Sequence, residues 1–232
     1  MTESKVKNPF YRLPRIGQWL IALLMMGILI WLLVFWSALG TRNPLWYLSI
    51  FLLMPPFQFL ITPFARLTGM YTYLSPILLV YFANDQKYDL HNGTPFDYLM
   101  LLRGSKPGSE LRRRLLAYYI EGLINITEKV EQGTLPETVI IHGSSYFFSE
   151  STANRLGFTV KKTGWAERIN IIANYLDLIW MYSLSKGKLT FPDLKQIKTV
   201  ETSGGQLLKK KPFLQSLYQR LQPAISSNSH PA

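Results

Sequence analysis

Apolar residues in this chain come in two long runs and then in short periodic groups. Residues 16–39 hold 24 positions without a charge, dominated by Leu, Ile, Met and Trp. As a helix at about 1.5 Å per residue this run is about 36 Å long, enough to cross a hydrocarbon core of roughly 30 Å. It is longer than the core of a signal peptide, and no A-x-A cleavage pattern follows it. After the gap Gly40–Pro44, residues 45–65 form a second uncharged run, interrupted by Pro55, Pro56 and Pro63. Membrane helices tolerate proline where neighbours satisfy the freed carbonyls. The pattern therefore predicts a transmembrane hairpin, 16–39 and a proline-kinked 45–65, with a re-entrant second segment as the alternative.

Charge orients the hairpin. Lys5, Lys7, Arg12 and Arg15 precede the first run, and only Arg42 lies in the gap. The positive-inside rule puts this basic tail, residues 1–15, in the cytosol. Two crossings return the chain there, so the expectation is a multi-pass cell-membrane protein with both termini cytosolic. Tyr11, Trp19, Trp36, Trp46 and Tyr47 fall near the predicted interfaces, where aromatic anchors collect.

Residues 66–221 read as a cytosolic domain, with a frayed tail from 222 to 232. Short apolar runs predict strands at 76–82, 137–142, 158–163 and near 197–201. Between them the pattern predicts a loop over 84–93 and a helix opened by Thr94-Pro95-x-Asp97, a cap, first-turn proline and capping-box acid. Further helices are expected at 109–132, near 149–157, over 165–184 and over 206–221. Strands alternating with helices argue for an α/β or α+β domain with a three- or four-stranded sheet.

Composition narrows the chemistry. The chain has no cysteine, which excludes disulfides, thiolate metal sites and a cysteine nucleophile, and three histidines exclude a histidine-rich metal site. No metal and no particular cofactor is assigned. Asp89 and His91 lie two apart in a segment that also holds Asp85 and Asp97. In extended chain they point to one side, as a base and its orienter would. Turn chemistry explains the same residues. His142, Ser144 and Ser145 follow a predicted strand at its carboxyl end, where open α/β sheets bind ligands. They could supply a base and a nucleophile, although no G-x-S-x-G is present; hydroxyls capping the next helix are the plain alternative.

The order apolar strand, short helix ending Asn154-Arg-Leu-Gly-Phe158, then strand resembles the closing part of GNAT-type N-acetyltransferases. The resemblance covers residues 138–163. The family's Q/R-x-x-G-x-G/A phosphate loop is absent, so no cofactor-binding residue is carried over.

Two basic runs remain, Arg112-Arg113-Arg114 and Lys209-Lys210-Lys211, within a net charge of +11. Beside a membrane anchor, contact with anionic lipid headgroups is favoured over nucleic acid. Glu167, Asn170, Asn174 and Asp177 form one polar stripe on the apolar 165–184 segment, which reads as a central buried helix with one wet stripe able to line a polar pocket, or as a helix lying against the bilayer or a partner subunit. Two functions follow. The first is a membrane-apposed interaction module that docks a protein partner. The second is a membrane-tethered enzyme of acyl- or acetyltransferase type, using His142, Ser144, Ser145, Asp89 and His91. Convergence of these side chains in space separates the two.

Overall fold

The structure, a computed structural model, describes residues 8–102, 105–145, 150–194 and 198–222. Helix α1 spans Arg15–Arg42 and α2 spans Ile50–Leu67, joined by a 3-10 turn at Pro44–Ser49. Both are long and apolar enough to cross a membrane, with few of their residues buried inside the protein. The tip is closed tightly. The Trp36 indole donates to the Trp46 carbonyl at 3.2 Å and the Ser49 hydroxyl at 3.0 Å. Gly40 makes room for Tyr47, because a Cβ there would sit 2.4 Å from the ring. Helix α2 runs through all three prolines, which leaves the carbonyls of Phe51, Leu52 and Phe59 without their usual amide donors.

The sheet has six strands, not three or four, in the order β1-β2-β3-β4-β6-β5. These are β1 (Tyr71–Ser75), β2 (Leu78–Tyr81), β3 (Lys87–Asn92), β4 (Ile140–Ser145), β5 (Thr159–Lys161) and β6 (Lys198–Ser203). The two additional strands are β1 and β3. Lys87–Asn92 reads as loop because its outward residues are polar, yet Tyr88 and Leu90 alternate inward to the core. Only β3 and β4 are parallel; every other pair is antiparallel. The parallel link is made by α3 (Pro95–Leu101) and α4 (Ser109–Glu131), as a crossover requires.

One sheet face is apolar. Leu78, Val80, Tyr88, Ile141 and Val200 belong to a core shared with Leu115, Ile120 and Ile126 of α4 and with Leu207 and Leu214. The last two come from α8 (Gly204–Lys209) and α9 (Lys211–Leu221). The terminal helix over 206–221, expected with an interruption at Pro212, is thus two helices, separated at Lys210, two residues before that proline. Gly122 lets α4 lie close on the sheet, since a Cβ would meet Leu78 at 2.5 Å. The 165–184 segment is likewise two helices, α6 (Trp165–Ala173) and α7 (Tyr175–Lys186), hinged at Asn174.

The domain is fastened to the hairpin. Phe10, Met25 and Phe96 form a second buried cluster with Phe59 and Leu60 against it. Thr62 donates to the Thr94 hydroxyl at 2.8 Å. The Arg66 guanidinium lies over the rings of Tyr11 and Tyr73, at 3.6 and 4.4 Å. On α6–α7, Asn174 accepts a hydrogen bond from the Gln58 side chain of α2.

Candidate functional site

The opposite sheet face is polar and aromatic. Alternation along the strands brings Tyr81, Asp89, His91, His142 and Glu201 to it. In the register Asp89 stands beside His142, and His142 beside Glu201. The expectation that Asp89 and His91 share a side is met, on a strand rather than in a loop.

His142 is the centre. Its Nδ1 is 2.5 Å from Asp89 Oδ1, and its Nε2 is 2.8 Å from Glu167 Oε1. Glu167 arrives from the first turn of α6. Its Oε2 accepts from the Gly164 amide and the Thr199 hydroxyl, both at 2.8 Å. Lys87 Nζ lies 3.0 Å from Asp89 Oδ2. The hydrogen bond to Asp89 raises the His142 pKa, and its charge adds to this. The same bond, with help from Lys87, holds Asp89 down at about 2. Burial alone would raise Glu167, but the Thr199 and Gly164 bonds and the His142 charge outweigh it and lower the pKa. With a carboxylate oxygen at each ring nitrogen, His142 is biased toward the imidazolium form between Asp89 and Glu167.

His91 has the reverse environment. Burial lowers its pKa, and its ring stacks on Tyr81 with centroids 3.9 Å apart. Two histidines on one face thus have pKa values pushed in opposite directions, the arrangement that separates acid from base roles.

A wedge opens beside them. The β3–β4 pairing ends at Leu90–Gly143. Each strand nevertheless continues alongside its outer neighbour, to Asn92–Leu78 in one case and Ser145–Lys198 in the other. The parallel strands part at their carboxyl ends, leaving 91–92 and 144–145 without a ladder between them among the described residues. Such an opening is where α/β sheets receive ligands.

The serine nucleophile is not prepared. Ser144 is exposed on this face, but carboxylates take both nitrogens of His142, so neither is left to activate a hydroxyl. The Ser145 side chain lies outside the described residues. Asp97 is fully withdrawn: Oδ2 accepts from the Thr94 amide at 3.0 Å and from the Tyr73 hydroxyl at 2.8 Å. Burial lifts its pKa to about 6. The clamp's carboxylates address different ring nitrogens and do not converge on one point. Among the described residues no set of three His, Asp or Glu side chains is arranged to hold a metal.

Glu167 is the residue of this candidate site that the sequence placed only on a polar stripe. Its stripe predicts a wet helix face, but nothing local tells that this face meets His142, 25 positions earlier. Asn174 and Asp177 of the same stripe turn to α2 and into the interior; burial raises Asp177 to about 6.

On the apolar side, a cavity of about 260 Å³ lies between α4, α9 and α5 (Glu150–Arg155), walled by Leu115, Ile120, Leu156 and Phe213, with Arg112 and Arg155 also lining it. The basic runs are not one patch. Arg114 is buried and donates to the Ser105 hydroxyl at 2.7 Å. Lys211 bonds Glu131 at the far end of α4 from Arg112, about 28 Å away along the helix axis at 1.5 Å per residue. Arg112 and Lys209 are exposed, and Lys210 is half-buried.

The segment resembling GNAT-type enzymes has the expected local form. Helix α5 leads to Gly157 at φ 90° and then to edge strand β5. No protein family matches the chain, and no curated protein or solved structure matches it either.

Proposed function

We propose that this chain is a membrane-tethered transferase whose reaction centre is the polar wedge at the carboxyl ends of β3 and β4. The observation that carries the reading is the pair of histidines with opposed pKa shifts, set on one face where parallel strands part. His91 is neutral near pH 7 and serves as the general base for an incoming amine or hydroxyl. His142, locked by Asp89 and Glu167, is a positioning residue that fixes β3, β4 and α6 around the opening. In this reading an extended acyl donor lies along the parted strand edges, which offer backbone donors and acceptors. The acyl group passes from the donor's leaving group to the acceptor, and His91 takes the acceptor's proton. The hairpin supplies the tether, with both termini on the cytosolic side by the placement of Lys and Arg. Exposed Arg112, Arg113 and Lys209 favour an anionic leaflet over nucleic acid.

The test uses the absence of cysteine, which removes background from thiol detection. The full chain in mild detergent is offered short and medium acyl thioesters with amine and hydroxyl acceptors, and thiol release is followed. Acceptor-dependent release that falls at least about 100-fold in His91→Ala, a general-base loss, supports the reading. Release unchanged in His91→Ala, or no release from any donor and acceptor pair, overturns it.

The second reading is a membrane-apposed module that docks a protein partner. It is favoured by one feature: both nitrogens of His142 are occupied, as in a purely structural clamp. Purification in mild detergent with mass spectrometry tests it, and a stoichiometric partner lost on Glu167→Ala supports it.

A further inference from the structure

Helix α6 carries Trp165, Ile169 and Ile172 at helical spacings of four and three, which is one stripe. All three are exposed, at 77%, 56% and 49%. The chain after α7 adds Leu189 and Phe191, also exposed. The two acids between 165 and 191 do not join this surface: Glu167 is bound to His142, and Asp177 is buried. Lys162, Arg168, Lys186 and Lys188 are exposed around it. Asp193, two residues after Phe191, is the one exposed acid beside it; an apolar stripe flanked along the chain by four exposed cations and a single acid matches the apolar core and anionic headgroups of a bilayer surface.

The hairpin fixes where that bilayer lies. Gln58, in the middle of α2, donates to Asn174 at the end of α6. On α1 the domain reaches as far as Met25, which is buried with Phe96. From Met25 to Arg42 about 26 Å of helix remains, less than the roughly 30 Å hydrocarbon core. A bilayer surrounding the hairpin therefore reaches the side of the domain where α7 and the carboxyl end of α6 meet α2.

We infer that Trp165, Ile169, Ile172, Leu189 and Phe191 form a second membrane contact, set into the lipid interface beside the hairpin. The domain rests on the bilayer through this surface and does not hang from a flexible tether. The opening above His142 is thereby held at the membrane surface, because Glu167 belongs to the same helix as the stripe. This rests on the membrane-tethered reading.

Single cysteines test it in a chain that has none. Ile169→Cys and Ile172→Cys are compared with Leu24→Cys on α1 and Gln215→Cys on α9, each labelled with a bimane. The full-length proteins are reconstituted in phosphatidylethanolamine–phosphatidylglycerol vesicles carrying doxyl acyl chains. The expected result is quenching at 169 and 172 several-fold above 215 and comparable with 24. Quenching at 24 but not at 169 and 172 overturns the second contact and leaves the tether standing. A label at 169 and 172 shielded from both doxyl lipid and aqueous iodide also overturns it, since protein then covers the stripe. Absence of quenching at 24 removes the tether and this inference together.

Discussion

The two faces of the sheet hold their helices by different forces. On one, Leu78, Val80, Ile141 and Val200 pack against α4, α8 and α9 with almost no exposed surface. On the other, α6 is held by Glu167, whose carboxylate joins His142, Thr199 and the Gly164 amide. Apolar packing is non-directional and insensitive to pH, so it suits a scaffold. An ion-paired clamp is directional and titrates, so it suits a surface that must admit and release something. The same strands serve both, because their side chains alternate.

The sharpest contrast comes from deleting one side chain on each face. Ile126→Ala removes a fully buried side chain of α4. It is expected to cost about 2–5 kcal/mol, as large-to-small core changes do. Thermal unfolding of the detergent-solubilised chain measures this, and the His142 clamp is expected to survive below the lowered midpoint. A loss under about 1 kcal/mol would mean that this face is not the packed scaffold.

His142→Ala acts on the other face and has the next largest effect. It leaves Asp89 and Glu167 facing each other without the cation between them. Asp89 is 41% exposed on its side chain and Glu167 28%, so water screens much of the penalty. A loss of about 1–2 kcal/mol is expected, confined to faster amide exchange in α6 while α4 stays protected. Equal loosening of both helices would show that the faces are coupled.

Much of the apolar side was legible along the chain. The α4 periodicity and the Thr94–Asp97 capping box both name contacts within a few residues, which local sequence specifies. The hairpin was equally plain in its two uncharged runs. The polar face was only half legible. Asp89 and His91 share a side by alternation, and His142 was singled out by its place near a strand end. Their partnership was not readable, because β3 and β4 pair across about 50 residues. The expected sheet of three or four strands fell short for a related reason. Lys87–Asn92 is a strand by tertiary pairing, its polar outward residues masking it, whereas Tyr71–Ser75 carries strand-favouring Tyr and Thr but is a short segment of five residues. At the break, Asn174 turns its own side-chain amide back onto Asn170 and accepts from Gln58 of α2.

The smallest expected effect is the most specific to the clamp, and its sign follows from linkage. The folded pKa of His142 is raised above the ordinary 6.5. Its contribution is complete below about 6.5 and is lost as pH rises through the folded value. Asp89, at about 2, and Glu167, also lowered, have the opposite window. Their contributions are present above the ordinary carboxylate range and are lost only as pH falls through their folded values. His91, with a lowered pKa, favours the neutral ring and works against the folded state only below about 6.5. Between pH 6 and 9 the one group changing charge in the clamp is therefore His142. Amide exchange in α6, corrected for its intrinsic pH dependence, is expected to speed up across that range by an amount corresponding to at most about 1 kcal/mol. In His142→Gln, which keeps a side chain of polar character but does not titrate, the pH response should vanish. Exchange in α6 that stays flat from pH 6 to 9 in the unaltered chain would mean that the imidazolium is not what fastens α6, and that the packing of Thr199 and Gly164 around Glu167 suffices without it.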